Sequence, residues 1–205
     1  MYKTNSTIMG GWEVLQNIFG AEATKIALFK KLVNVKLGQK VLDLGCATGS
    51  TSIAFAGHDY LGVDIHQPSI DLAIARYANK PECSSLKFAC ADIFEFKSEP
   101  FDQILCAFTG HHLDDDLCLQ ITQELINRLK PGGFLHFIDN AKTGHDSVLV
   151  KVMHAIDRGR YMRPKNAYNQ IFTKLQNCKL VDEQAIDSKN GLINYQFCYF
   201  KFEKM

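Results

Sequence analysis

Residues Val41–Ser50 read VLDLGCATGS and describe a buried strand that runs directly into a turn containing glycines. The apolar start of this stretch suits a central parallel strand, because such strands are covered on both faces. Gly45 and Gly49 remove side chains where the backbone must bend tightly and where a ligand can come close. Asp43 adds a carboxylate near the carboxyl end of the strand, the end at which open α/β sheets bind ligands. The stretch therefore predicts an α/β fold with a ligand site at this turn.

A second acid follows at the spacing that nucleotide-binding folds use. The run Tyr60–Asp64, YLGVD, predicts a second strand that ends on Asp64, about twenty residues after the first strand. In dinucleotide-binding folds an acid at this place accepts hydrogen bonds from the ribose hydroxyls. We therefore expect a nucleotide-like cofactor, with capping of the next helix as the alternative role for Asp64.

The spacing of the glycines argues against a dinucleotide. A GxGxxG fingerprint admits a pyrophosphate to the start of a helix, but Ala47 and Ser50 occupy the matching positions after Gly45. A nucleotide-dependent dehydrogenase remains an alternative, but the chain lacks the GxGxxG motif that this class of enzyme needs.

The pattern that is present, DxGxxxG, resembles the first motif of the class I S-adenosylmethionine-dependent methyltransferases, with Ala47 in place of the middle glycine. Other segments resemble the later motifs of this family in the same order. These are Ala89–Ile93 (third cofactor motif), Phe101–Cys106 (fourth strand), His111–Leu113 (the turn after it) and Glu124–Gly133 (the helix end and proline-glycine turn before a fifth strand, Phe134–Asp139).

The resemblance implies a three-layer Rossmann-like methyltransferase fold of the α/β class, with a seven-stranded, mostly parallel sheet and an antiparallel C-terminal edge hairpin. We expect residues 1–205 to form one domain. Its predicted parts are an N-terminal helical cap (1–38), a cofactor-binding core (39–140), substrate-covering helices (141–179) and a C-terminal strand hairpin (180–205).

Periodicity predicts individual elements within this plan. The expected helices are residues 11–34, with Trp12, Leu15, Ile18 and Phe19 on one face; a helix from Pro68, packed through Ile70, Ala73, Ile74 and Tyr77; and a helix capped by Asp114, Asp115 and Asp116, packed through Leu117, Ile121, Leu125 and Leu129 and stopped by Pro131 and Gly132. The expected terminal strands are Leu180–Ile186 and Tyr195–Phe202, around a turn at Ser188–Gly191.

The resemblance also implies which residues hold the cofactor. The backbone of the turn holds the methionine end, Asp43 lies near its amino group, Asp64 accepts the ribose hydroxyls, Ile65 packs on adenine, and Asp92 with Ile93 recognises the adenine edge. The residues of the turn are Gly45, Cys46, Ala47 and Gly49. Asp92 as a turn residue and Ile65 as a core residue are the alternatives.

S-adenosylmethionine carries its own activated methyl group, so the protein has mainly to align a nucleophile with the carbon–sulfur bond and exclude water. The expected chemistry is direct in-line displacement by oxygen or nitrogen of a small molecule. His111 and His112 follow the fourth strand, and either histidine can serve as a general base. A histidine that only supports the loop is the alternative.

Substrate contacts are predicted in the segment before the sixth strand. Arg160 and Arg163 can hold a carboxylate or a phosphate, and Tyr161 can form a wall of the pocket. Structural salt bridges account for the same arginines equally well.

No metal is expected. Asp139 and Asn140 resemble the pair that helps to hold a divalent ion in catechol-type O-methyltransferases. However, Cys106, Ala107 and Phe108 stand where those enzymes place a further aspartate. The Asn- or Asp-Pro-Pro-aromatic signature of adenine- and glutamine-modifying relatives is also missing after the fourth strand.

The composition of the chain limits which kinds of binding partner we expect. The 205 residues carry a formal net charge of +1, which gives no footprint for tight binding to nucleic acid. A late basic cluster suits a solvated helix or a lid over a small anionic group; its members are Lys151, Arg158, Arg160, Arg163 and Lys165. Seven scattered cysteines without a CxxC pair, no signal peptide and no long apolar run predict a soluble cytoplasmic protein with no membrane partner. An RNA- or protein-modifying methyltransferase and a noncatalytic cofactor-binding scaffold remain alternatives, and the oligomeric state is not predicted.

Overall fold

The computed structural model describes residues 21–146, 150, 159–190 and 193–205 and is built around one seven-stranded sheet. The strands are β1 (Lys40–Leu44), β2 (Asp59–Asp64), β3 (Leu86–Cys90), β4 (Phe101–Ala107), β5 (Leu129–Asn140), β6 (Cys178–Asn190) and β7 (Ile193–Lys204). The α-helices with described bounds are α1 (Ala21–Val33), α2 (Gln67–Tyr77), α3 (Asp115–Asn127) and α4 (Lys165–Phe172). Short 3₁₀ turns lie at Ser52–Phe55, Pro81–Cys83 and Gly110–His112.

The strand order is β3-β2-β1-β4-β5-β7-β6. Strands β1 to β5 pair in parallel, whereas β7 runs antiparallel to both β5 and β6. The predicted fold class, including the antiparallel C-terminal edge, is confirmed. The strand order reverses between β1 and β4, so the crevice at their carboxyl ends is the topological switch point where α/β sheets bind ligands.

Side chains of successive strand residues enter two separate cores, which gives the fold its three layers. Leu42 belongs to a core under α3 and α4, and its neighbour Val41 belongs to a core under α1 and α2. Both residues are fully buried. The apolar run of the first strand is thus explained by helices on both faces of the sheet.

The packing face of α2 is narrower than predicted. Ile70, Ala73 and Tyr77 are buried as expected, but Ile74 is 50% exposed. An α-helix turns by about 100° per residue, so Ile74, which follows Ala73, points away from the part of the sheet that α2 covers.

The stripe predicted for α3 is confirmed at Leu125 but is displaced by one residue in the earlier turns of the helix. Leu117 is exposed and Ile121 only partly buried, whereas Cys118, Thr122 and Leu125 face the sheet. The Thr122 hydroxyl donates a 2.7 Å hydrogen bond to the Cys118 carbonyl, so this polar side chain is buried without an unpaired donor. The predicted cap is present: Asp114 Oδ1 accepts a 2.9 Å hydrogen bond from the backbone amide of Leu117.

Leu129 was expected on α3 but begins β5. The helix ends at Asn127, and Leu129 already pairs with Phe101. Gln103 then pairs with Phe134, so the proline-glycine segment lies in an irregularity of β5 rather than at a helix end. Proline has no amide to donate to a ladder, so strands tolerate it at bulges of this kind.

The C-terminal hairpin is longer than predicted. Pairing continues to Asn190 with Ile193, so the predicted turn residues Ser188, Lys189 and Asn190 belong to β6. Gly191, the last residue of the predicted turn, lies outside the described residues.

A buried polar chain joins β4, β5 and β7. His136 lies 2.9 Å from both Gln103 Oε1 and the Tyr199 hydroxyl. Because a carboxamide oxygen only accepts, His136 donates through Nε2 and accepts the Tyr199 proton at Nδ1. Burial, with a smaller effect of Lys201, lowers the pKa of His136 to about 3, so the ring is neutral at physiological pH.

Other predictions cannot be compared with the structure. The face of the predicted first helix, Trp12 to Phe19, and the basic residues Lys151 and Arg158 lie outside the described residues. Within the described part of the chain, every helix is too short or too polar to cross a membrane. The single domain and the cytoplasmic location stay predictions.

Candidate active site

The turns after β1 and β4 meet at the switch point. Gly45 has φ +78°, and a Cβ built on it would lie only 2.2 Å from Thr109 Oγ1. Thr109 is itself held by hydrogen bonds from its hydroxyl to the carbonyls of Leu44 (3.4 Å) and Ala107 (3.2 Å). Any side chain at position 45 would push the two turns apart. The glycine therefore keeps the predicted cofactor turn against the turn that precedes the histidines.

Further residues of this turn also have a left-handed backbone conformation. Gly49 has φ +67°, and a Cβ there would lie about 3.0 Å from the Phe88 ring and 3.1 Å from Ala73. Ala47 also has a positive φ, +47°, although it carries a Cβ. Cys46 is buried beside it, and burial raises the pKa of its thiol, so the sulfur stays protonated and unreactive.

Asp43 is a buried acid held by a short hydrogen-bond chain. The Tyr60 hydroxyl donates to Asp43 Oδ2 at 2.7 Å, and Ser52 Oγ lies 2.6 Å from the same hydroxyl. Because the single hydroxyl proton of Tyr60 is used in the hydrogen bond to Asp43, the Ser52 hydroxyl donates to the Tyr60 oxygen. Burial raises the pKa of the Asp43 carboxyl to about 7 despite the opposing Tyr60 hydrogen bond. A buried carboxylate of this kind favours a cationic partner.

Asp64 ends β2 and faces the same turn. Its Oδ2 accepts a 3.0 Å hydrogen bond from the Ala47 amide, and its Oδ1 accepts a 2.9 Å bond from the His66 amide. The helix α2 is capped at His66 rather than at Asp64, so the capping alternative does not describe this residue. Each carboxylate oxygen keeps a second lone pair for a ligand hydroxyl.

The ends of β2 and β3 present the residues expected beside adenine. Ile65 is 75% exposed, so its apolar side chain is open to a ligand. Asp92 is exposed, and its Oδ1 accepts a 2.9 Å hydrogen bond from the Phe94 amide. Ile93, by contrast, is buried in the core under α3, so its side chain cannot flank a ring. Phe94, 48% exposed, is the apolar side chain available next to Asp92.

His111 is buried against Asp139 at the end of β5. Its Nδ1 lies 2.5 Å from Asp139 Oδ1, and its amide donates to Oδ2 at 2.8 Å. The Tyr168 hydroxyl and the Asn140 amide supply the other two donors, at 2.9 and 2.7 Å. Both Asp139 oxygens thus accept two hydrogen bonds from the protein. Asp139 therefore anchors the histidine turn, a role different from the one its resemblance to a metal-binding pair suggests.

His112 differs from His111 in exposure. It is exposed, and its ring centroid lies 4.2 Å from that of His111. A Cβ on Gly159 would lie 2.0 Å from His111 Cδ2, so the segment after β5 covers the buried histidine. Of the two predicted bases, His112 is the one that a solute can reach.

Arg163 is engaged within the protein. Its Nε and Nη2 bind Asp115 at 2.8 and 2.6 Å. The guanidinium also donates to the carbonyls of Gly110, Leu113 and Tyr161, at 3.1, 2.7 and 3.0 Å. These contacts favour the structural alternative for Arg163, because they use its donors internally. Arg160 and Tyr161 are exposed on the same segment.

Sequence reasoning missed Tyr60, Phe94, Phe108 and Thr109. Tyr60 is signalled by its place in a buried strand, since a buried tyrosine hydroxyl requires a partner. Thr109 and Phe108 have no sequence signal of their own, because their importance comes from contacts with distant elements.

The left-handed backbone of Ala47 generates a stability prediction. We expect Ala47→Gly to raise the free energy of unfolding by about 0.5–1 kcal/mol, because the relief of a strained φ outweighs the extra chain entropy of glycine. Urea denaturation measures the change. The control is Ala78→Gly, since Ala78 is exposed with an ordinary φ of −53°; it should destabilise the protein. Equal losses in both variants would contradict the strain.

Comparisons with known proteins agree with this geometry. The family described as "Methyltransferase domain" matches residues 41–133. A putative protein N5-glutamine methyltransferase of Methanocaldococcus jannaschii is 30% identical over 149 residues, which cover 62% of this chain and 74% of that protein. Phosphoethanolamine N-methyltransferase 1 of Zea mays is 28% identical over 191 residues, 90% of this chain and 36% of its own length.

A solved structure shows the same fold. Magnesium protoporphyrin IX methyltransferase from Synechocystis, with bound SAH, aligns with a TM-score of 0.68 at 15% identity, covering 100% of this chain and 90% of that one. The chain spans between about a third and a little over half of several longer curated relatives, 31%, 36% and 55% in three cases. On its motifs, sheet order and relatives, the chain belongs to the class I S-adenosylmethionine-dependent methyltransferases, and its cofactor is S-adenosylmethionine.

Proposed function

We propose that this chain transfers the methyl group of S-adenosylmethionine to oxygen or nitrogen of a small molecule by direct in-line displacement. The observation that carries the proposal is the contact between the turns after β1 and β4, which Gly45 permits and Thr109 completes. This contact joins the predicted methionine-binding turn to the partly buried end of β4. A nucleophile bound there would approach the methyl from the side opposite the rest of the cofactor.

The residues that would hold the cofactor lie along the carboxyl ends of β1, β2 and β3. Asp43 would meet the amino group of the methionine part, and Asp64 would accept the ribose hydroxyls. Ile65 and Asp92 would border the adenine, with Phe94 replacing Ile93 as its apolar neighbour. When bound, the cofactor supplies the activated methyl on its sulfonium. Cys46 takes no chemical part, because its buried thiol stays protonated.

On the acceptor side, the two histidines would have different roles. His111 would position the turn through Asp139, because its ring and amide are both bonded to that carboxylate. His112 would be the residue able to take a proton from the acceptor. Arg160 and Tyr161, in the segment Gly159–Arg163, would contact the acceptor.

The relatives support a small acceptor, with nitrogen as a candidate atom. The Zea mays relative is named for phosphoethanolamine, and it matches 90% of this chain. The archaeal relative is named for protein glutamine. However, the signature expected of glutamine-modifying enzymes is absent here, because the end of β4 and the residues just after it read Cys106, Ala107, Phe108 and Thr109. A protein acceptor is therefore the weaker proposal.

The test is methyl transfer from isotope-labelled S-adenosylmethionine to a panel of small amines and alcohols. We expect the protein to label at least one acceptor and Asp64→Ala to bind S-adenosylhomocysteine about ten- to a hundredfold more weakly, because a charge-assisted acceptor of two hydroxyls is lost. Asp71→Ala is the matched control, since Asp71 is exposed on α2. Unchanged cofactor affinity in Asp64→Ala, with a collapsed melting temperature, would make Asp64 a structural residue.

The raised pKa of Asp43 predicts pH-dependent cofactor binding. Below pH 7 the carboxyl is largely protonated and must lose its proton to pair with an ammonium group. Affinity for S-adenosylhomocysteine should therefore rise on the order of tenfold between pH 5.5 and pH 7.5, and calorimetry at each pH measures it. Asp43→Asn should bind more weakly and show a flat profile. An equally steep profile in this variant would assign the pH dependence to another group.

A further inference from the structure

Phe108 is a strained aromatic residue directly after β4. Its φ is +55°, a strained backbone conformation that bulky L-residues rarely adopt. The backbone is held there by a 2.8 Å hydrogen bond from the Phe108 amide to the Ile138 carbonyl of β5. Strain of this kind persists where the surrounding structure imposes it, and it concentrates at ligand sites.

The strained backbone directs the Phe108 ring toward two other aromatic rings. The ring centroid lies 6.2 Å from that of Phe29 on α1 and 5.2 Å from that of Phe197 on β7, in an edge-to-face arrangement with the latter. Phe29 and Phe197 are buried, whereas Phe108 is only partly buried. The two buried rings therefore form a wall behind a ring that remains accessible.

A cation already sits on the Phe108 ring. Lys25 Nζ lies 4.4 Å from the ring centroid, which is within the range of a cation–π contact. Lys25 reaches the ring from α1, so the ammonium is held over the end of β4 by a different layer of the fold. The negative face of an aromatic ring attracts an ammonium group, and the attraction strengthens when water is excluded.

The ring also adjoins the predicted cofactor turn. Thr109, the next residue, is the one that a side chain at Gly45 would strike. The accessible part of Phe108 thus lies one residue from the contact between the turns after β1 and β4. This is the place where the proposed function requires an acceptor.

We propose that the Phe108 ring binds the amino group of a small amine, so that the acceptor atom is nitrogen. Lys25 Nζ marks the position over the ring at which the ammonium of the substrate or product would bind. The inference rests on the proposed function and narrows its acceptor from oxygen or nitrogen to an amine.

The chemistry balances with the groups that the proposal names. The substrate ammonium gives one proton to His112, the base of the proposed function, and the nitrogen lone pair then forms a bond to the methyl carbon. The carbon–sulfur bond breaks, its electron pair stays on sulfur, and a thioether and a methylated ammonium result. Positive charge grows on nitrogen as the new bond forms, and the ring face stabilises that charge.

The experiment compares two probes that differ only in charge. Choline and its neutral carbon analogue, 3,3-dimethyl-1-butanol, are titrated into the full chain saturated with S-adenosylhomocysteine, and binding is measured by NMR. We expect choline to bind about tenfold more tightly, the preference that a cation–π contact of ordinary strength gives. Phe108→Leu should abolish the preference, and Phe108→Tyr, which keeps the ring, should retain it.

A second pair of variants tests the role of Lys25. Lys25→Met removes the competing ammonium and should raise choline affinity severalfold, whereas Lys30→Met, an exposed position on the same helix, should leave it unchanged. Phe134→Leu is the matched ring control, because Lys201 Nζ lies 4.1 Å from the Phe134 ring in a similar cation–π contact at the other end of the sheet.

The outcomes separate this inference from the function on which it rests. Equal affinity for the two probes, or weaker choline binding in Lys25→Met, overturns the amine site while cofactor binding stays intact. A choline preference that survives Phe108→Leu, or disappears in Phe134→Leu, overturns the assignment to Phe108. Failure of the protein to bind S-adenosylhomocysteine overturns the proposed function itself.

Discussion

The missing side chain at Gly45 is the constraint on which the site depends. Because no Cβ stands between them, the turns after β1 and β4 touch, with Thr109 filling the space that a side chain would need. The positive φ at Gly45 then directs the turn past Asp43 toward Asp64. One glycine thus brings the acids of β1 and β2 and the end of β4 to a common crevice. The reversal of strand order at β1 and β4 opens this crevice at the carboxyl edge of the sheet.

The proposed acceptor side is held by buried polar groups as well as by close glycine packing. Asp139 accepts four hydrogen bonds, two of which come from His111 in the histidine turn. Arg163 donates to the Gly110 and Leu113 carbonyls of the same turn. Gly110 lies between them, since a Cβ there would lie 2.5 Å from the Phe137 ring and 2.7 Å from Asp139. A substitution at Asp139 would leave buried donors on His111 and Tyr168 without a partner, which costs more than the bond itself. On this supported turn, His112 is exposed and Phe108 is partly exposed.

The sequence was sufficient for the features that follow from local pattern. The strand–turn signature and the spacing from Asp43 to Asp64 predict the sheet and the ends of its central strands, and the hydrogen bond from Ala47 to Asp64 joins residues that the motif places together. Exposure of Ile65 also agrees with a contact to a bound ring.

Features that depend on distant contacts were not predictable. Burial of Cys118 and Thr122 in place of Leu117 follows from how closely α3 crosses the sheet, which periodicity does not encode. Arg163 finds its partners on elements about 50 residues away, so its internal role is invisible in its own segment. Ile93 packs into the core under α3 from the loop after β3, where neither helix nor strand periodicity indicates which side chains point inward.

The most direct test of the account is calorimetric titration of the protein with S-adenosylhomocysteine and, separately, with NAD. The turn carries Ala47 and Ser50 where a dinucleotide fingerprint needs glycines. In the proposed site, Asp43 would pair with an ammonium group and Asp64 would accept ribose hydroxyls. The account predicts a saturable heat with S-adenosylhomocysteine and none with NAD at the same concentrations. A saturable heat with NAD and none with S-adenosylhomocysteine would contradict it.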